Sequence, residues 1–126
     1  MLFQIFTDPL GGDLIPIEFN EIQFQPKRIF SVSSVPKGQR RGGHAHFKTK
    51  RLFVCINGSV LVGLHDGKVQ KETVLNKGDS IFVDNLIWDY QEFLTGNDFI
   101  VVLCSTNYNK SDYIEDFNQF LKIKNK

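Results

Sequence analysis

The sequence has almost no net charge, little sulfur and no long apolar run, and each shortage removes a class of function. Fifteen Lys and Arg against fourteen Asp and Glu leave a formal charge of +1. So balanced a set cannot assemble the basic face that tracks phosphates, and nucleic acid is not an expected partner. No apolar stretch approaches the ~20 residues of a membrane-spanning helix, so no membrane association is expected. Cys55 and Cys104 lie in separate apolar segments without CxxC spacing. They read as buried free thiols of a cytoplasmic protein. The opening MLFQIFTDPLGGD has no basic leader and reaches Asp8 almost at once, which does not match a signal peptide. Methionine occurs once but phenylalanine twelve times, and most of those rings are expected inside an all-β core.

At 126 residues the chain suits one hydrophobic core. Glycine, proline and asparagine punctuate it at the rhythm of a sandwich or barrel. Expected strands are Leu14–Ile17, Lys27–Val32, Leu52–Ile56, Val60–Leu64, Lys71–Leu75, Ser80–Val83, Ile87–Glu92 and Asp98–Cys104. INGSV and HDGK read as tight hairpin turns. Near the end Tyr113, Ile114, Phe117, Phe120 and Leu121 recur at helical spacing, after Ser111 and Asp112 as N-cap candidates and with Glu115 completing a capping box. The expectation is a single all-β domain over residues 1–126. It divides into a double-sheet jelly roll (1–110), a short C-terminal helix (111–122) and a basic tail (123–126).

The chemistry concentrates in RRGGHAHFKTKRLFVCING. His44 and His46 stand at the start of a run that reads as a strand, so both point to one face with Ala45 opposite. Facing a cavity, they suit proton transfer, because an imidazole exchanges a proton near neutral pH. Arg41 and Arg51 are candidates to counter a substrate anion, whereas Arg40 reads as solvated. His65, in LHDGK, reads as an exposed hairpin tip. Asp8, Glu18 and Asp84 read as solvated charge near strand ends. Trp88 is either core or a stacking surface for a sugar or base.

Gly38, His44 and His46, followed by an apolar strand closed by Gly58, resemble the first signature of the cupin barrels. The second would begin at Gly78 in GDSIFVDNLIWD, with Asp89 where cupins usually carry a metal-binding histidine. The glutamate that metal-dependent cupins carry beyond the second histidine is replaced by Lys50 and Arg51. A guanidinium there opposes a divalent ion, so no metal is expected. A two-histidine, one-carboxylate triad of His44, His46 and Asp89 is the metal-binding alternative.

The resemblance narrows further. RGGHAHFKTKRLFVCINGSV, GGDLIPIEFN, KRIFSV and YNKSDYIEDFNQFL are similar, in order and spacing, to segments of the nucleotide-sugar 3,4-ketoisomerases of the WxcM-like group. The resemblance implies a homodimer whose substrate is a dTDP-linked 4-keto-6-deoxyhexose. Its carbonyl moves from C4 to C3 through an enediol without metal or cofactor. It implies His44 as the base, His46 as its partner in relaying the proton, and Arg41 in contact with substrate charge, with Arg51, Asp89 and Trp88 also expected at the substrate. This chain departs from the family at several points. Family tyrosines after KR are Phe30 and Ser31, leaving that strand without its active-site phenol. A family glutamine is Arg51, and Trp-His-Glu-Met reads Trp88-Asp89-Tyr90-Gln91. Since neighbours on a strand face opposite ways, Asp89 rather than Tyr90 is expected inside. The departures leave open a barrel that binds a nucleotide sugar or a partner enzyme without turnover.

Overall fold

The computed structural model describes residues 2–7 and 9–126; Asp8 lies outside them. A short hairpin, β1 (Phe6–Thr7) with β2 (Asp13–Leu14), precedes two antiparallel sheets. The first contains β3 (Arg28–Ser33), β5 (Arg51–Asn57), β8 (Ser80–Val83) and β10 (Phe99–Cys104), in the order β3-β10-β5-β8. The second contains β4 (Arg40–His46), β6 (Ser59–His65), β7 (Gln70–Asn76), β9 (Trp88–Phe93) and β11 (Tyr113–Ile114), in the order β11-β4-β9-β6-β7. This is the expected jelly roll. Helix α1 (Phe117–Lys124) follows. Among the described residues no helix is long and apolar enough to cross a membrane.

Alternation builds the core. Phe53, Cys55, Val60, Val62, Val83, Phe93, Ile100 and Val102 meet between the sheets. On the outer side of β5 and β10, Leu52, Val54 and Leu103 are covered by Phe3, Ile15, Ile17, Ile22 and Phe24 from the N-terminal segment. That double cover explains why RLFVCIN reads as a continuous apolar run rather than an alternating one. Cys55 and Cys104 are buried free thiols, as expected. The rings do not follow the expectation: only Phe3, Phe53, Phe93 and Phe120 are buried, and Phe6, Phe19, Phe30, Phe47 and Phe117 are exposed.

Three local expectations are corrected. INGSV is no hairpin, because β5 and β6 belong to different sheets. Its Gly58, at φ +79°, turns the chain from one sheet to the other, and a Cβ there would lie 2.1 Å from an Asp98 carboxylate oxygen. Asp98 accepts the Ser59 amide (2.8 Å) and the Thr95 amide (2.9 Å), which fixes that corner. HDGK does close a hairpin, β6 with β7, where Asp66 accepts the Lys68 and Val69 amides. His65 at its edge is half-buried, its ring 5.2 Å from that of Phe117. Glu18 and Asp84 are exposed, as expected.

The helix does not span 111–122. Lys110–Asp112 is a 3-10 turn capped by Asn109, Tyr113 and Ile114 pair with β4, and α1 starts after Asp116. The Asp116 carboxylate accepts the Asn118 and Gln119 amides, a stronger cap than Ser111 could offer from outside the helix. The helix reaches Lys124 and so absorbs half of the expected tail. Its buried Phe120 packs with Ala45 and Ile114 against the outer face of the second sheet.

Candidate active site

A bulge aims the histidines. Along β4 and β9, Arg41 opposes Gln91 and Gly42 opposes Tyr90, but the register then shifts and His44 opposes Asp89. An unshifted ladder would set His44 against Trp88, on the outer face. The extra residue reverses that parity and turns both imidazoles inward. Glycine is required there: Gly42 sits at φ +90° with the Tyr90 backbone 3.0 Å from where a Cβ would be. The histidines thus close β4 rather than opening a strand. Their ring centroids are 5.2 Å apart, nearly perpendicular.

His46 is fixed by a residue the sequence reading used otherwise. Its Nδ1 lies 3.0 Å from a carboxylate oxygen of Asp112. Asp112 also accepts the Lys48 amide (2.8 Å), the Thr49 amide (3.2 Å) and the Thr49 hydroxyl. Burial opposes its charge, but the bonds from Thr49, His46 and Lys48 prevail and hold the carboxyl below its usual range. An ionised carboxylate only accepts, so His46 carries its proton on Nδ1 and leaves Nε2 as the unprotonated nitrogen. Burial and the Arg51 charge push the His46 imidazole down to about 4, against the pull of Asp112. His44 is lowered by burial and by Arg51, with the Asp89 carboxylate drawing it back up. Both rings are therefore neutral at neutral pH.

Arg51 and Gln91 line the cavity, and Asp89 is buried behind them. Arg51 and Asp89, 2% and 0% exposed, are joined as an ion pair. Gln91 donates to the other Asp89 oxygen at 2.7 Å. The Arg51 Nε is buried without a partner. Around it a cavity of about 90 Å³ is lined by Phe30, Arg41, His44, Arg51, Phe53 and Gln91, among others. Whole-ligand sites commonly measure roughly 300–1,000 Å³, so this space admits the reacting edge of a ligand whose remainder lies outside. A larger hollow of about 360 Å³ between β7 and β8, lined by Leu64, Val69, Lys71 and Asp84 among others, holds no histidine.

Five of the six expected site residues therefore converge: His44, His46, Arg51 and Asp89 at the centre, with the exposed Arg41 at the rim. Trp88 does not. It lies on the outer face against Phe117 and Phe120 (5.2 and 5.8 Å between centroids). Tyr90 also faces outward, beneath Arg40 and bonded to Glu72 and Gln70. Nor do His44, His46 and Asp89 form a ligand set, since Asp89 is held by Arg51 and the His46 Nδ1 by Asp112. Among the described residues, no group of three His, Cys, Asp or Glu side chains is placed to hold a metal ion.

The buried imidazole has a consequence for stability. Above the ordinary value of 6.5 the ring at position 46 is neutral in folded and unfolded chains alike. Between there and about 4 the unfolded chain binds a proton that the folded ring refuses. Stability is therefore complete above that window and falls as pH falls through it, by up to about 3 kcal/mol. Urea unfolding at stepwise pH should show this slope in the wild type and a smaller one in His46→Gln.

Residues 1–125 match the family described as FdtA: WxcM-like, C-terminal. A TDP-4-oxo-6-deoxy-alpha-D-glucose-3,4-oxoisomerase from Aneurinibacillus thermoaerophilus is 33% identical over 113 residues, 88% of this chain and 81% of that protein. The crystal structure of a 3,4-ketoisomerase from Helicobacter canadensis superposes with a TM-score of 0.90 at 30% identity, covering 99% of this chain and 95% of that one. The sugar 3,4-ketoisomerase QdtA from Thermoanaerobacterium thermosaccharolyticum, in complex with TDP, gives 0.89 at 29%, covering 98% and 91%. With its paired inward histidines and near end-to-end matches, this chain belongs to the WxcM-like FdtA family of sugar ketoisomerases.

Proposed function

We infer that this protein is a sugar 3,4-ketoisomerase that moves the carbonyl of a TDP-linked 4-keto-6-deoxyhexose from C4 to C3. The observation that carries the reading is a pair of neutral imidazoles 5.2 Å apart, of which His44 lines a cavity together with the buried guanidinium of Arg51. The relatives' activity on a TDP-linked keto sugar supports the substrate class.

The ketone acidifies the C3 proton, and a neutral ring beside it removes that proton. His44 is the base: it lines the cavity, and the Asp89 carboxylate stabilises the imidazolium it becomes. His46, whose Nδ1 is committed to Asp112 and whose Nε2 carries no proton, relays the proton toward C4. Arg51 offers its unpartnered Nε–H to the oxygen on which enediolate charge develops. Arg41 at the rim meets the diphosphate. Incubation with TDP-4-keto-6-deoxyglucose in deuterated buffer should yield the 3-keto isomer carrying deuterium at C4, read by NMR. Neither product nor exchange with any TDP-linked 4-keto sugar would sink the reading.

The protein works as a homodimer. The unpaired edge strand β3 carries Ile29, 57% exposed, beside Phe19, 48% exposed, an apolar strip suited to a second copy. Light scattering should give twice the chain mass, and Ile29→Lys should return it to one.

A further inference from the structure

We propose that Tyr113 is a catalytic acid and base of this site, carrying the hydroxyl proton between the two oxygens of the migrating carbonyl while the imidazoles carry the carbon-bound one. The proposal rests on the isomerase reading and adds a residue to it. β11 pairs with β4 so that Tyr113 stands directly opposite His46, and paired residues share a face. The phenol ring is 4.3 Å from the His46 ring and 5.1 Å from that of His44. Of the proton-carrying side chains among the described residues, it alone makes ring contact with both imidazoles.

Its hydroxyl is met by Arg28, on the inward side of β3. A guanidinium has donors only, so the phenol oxygen accepts there and the phenol keeps its own proton to give. No described residue takes that proton. Arg28 lies over Phe30 and Tyr108, each 5.5 Å away, and its Nε is buried without a partner. A fixed cation at this point stabilises the phenolate formed when the proton leaves. The titratable and charged groups facing Tyr113 are Arg28 from β3, His44 and His46 from β4, and Tyr108 and Asp112 from the segment leading into β11.

The proton balance closes. His44 takes the C3 proton, the freed electron pair becomes the C3–C4 double bond, and Tyr113 protonates the C4 oxygen to give the enediol. The phenolate held by Arg28 then removes the proton from the C3 oxygen. As the C3 carbonyl forms, the pair of the double bond takes a proton at C4 from the imidazolium. Tyrosine and imidazole return to their starting states, and no other reactant is consumed.

The test compares variants on TDP-4-keto-6-deoxyglucose after the wild type has been assayed on it. Absence of wild-type turnover would defeat the isomerase reading, and the proposal with it. Given turnover, Tyr113→Phe should lower kcat by about 10²–10⁴-fold. KM should stay within about threefold and TDP affinity unchanged. A kcat within about tenfold of wild type would overturn the proposal alone. If Tyr113→Phe folds poorly, 3,5-difluorotyrosine at position 113 keeps the shape and makes the phenol more acidic. The alkaline limb of the kcat profile should then move to lower pH, and an unmoved limb overturns the proposal. Arg28 is the positioning residue: Arg28→Lys should retain more kcat than Arg28→Met, and equal losses would remove it from the scheme.

Discussion

Replacing His44 with asparagine is expected to abolish turnover while leaving the protein folded and able to bind TDP. The substitution keeps a polar side chain of similar reach but removes the group that accepts the C3 proton. Loss of a positioned base typically costs about 10²–10⁴-fold. His46 cannot take over, because burial and Arg51 hold it near 4 and its Nδ1 is committed to Asp112. Deuterium uptake at the substrate carbons separates the two rings. His44→Asn should show neither exchange nor product, since the proton is never removed. His46→Asn should retain part of the exchange, since abstraction survives where relay fails. Equal exchange in His44→Asn and wild type would transfer the role of base to another residue.

The parts of this site that the sequence disclosed follow from strand alternation. His44 and His46 share a face in any strand, and the parity that turns Tyr90 outward turns Asp89 inward. The same parity should have removed Trp88 from the substrate side, since it neighbours Asp89; expecting both residues at the sugar was inconsistent with one strand. The direction in which the histidine pair faces was not legible, because it depends on a one-residue register shift that the Gly42–Gly43 pair permits but does not announce. Asp112 and Tyr113 were hidden differently. Spacings of three and four from Tyr113 to Phe120 satisfy a helix, yet a two-residue strand followed by a capped helix satisfies them equally well. Reading the segment as all helix turned a histidine-orienting carboxylate into an N-cap. What settles the matter is non-local: Asp112 meets amides at Lys48 and Thr49, across the sheet.

The largest effect on stability is expected at the buried ion pair beside the cavity. Arg51 and Asp89 neutralise each other out of contact with water, so removing either charge leaves the other buried and unpaired. Breaking such a pair costs about 3–5 kcal/mol. For a chain of this size that corresponds to a melting temperature lower by roughly 10–20 °C. Asp89→Asn leaves an intact guanidinium beside His44 and His46 with less compensation, and Arg51→Gln leaves the carboxylate alone. Removing both charges together is a different matter. The double variant Arg51→Gln/Asp89→His leaves no orphaned charge and should recover most of the lost stability. A double variant as unstable as the sum of the singles would mean that the pair acts through packing rather than charge. Kinetics on the same proteins separates fold from function. The double variant should regain most of the stability yet remain altered in kcat, because the Nε–H proposed to face the enediolate oxygen is gone. Rescue of stability without rescue of rate would assign the guanidinium to the reaction itself, whereas joint rescue would leave it a structural counter-ion.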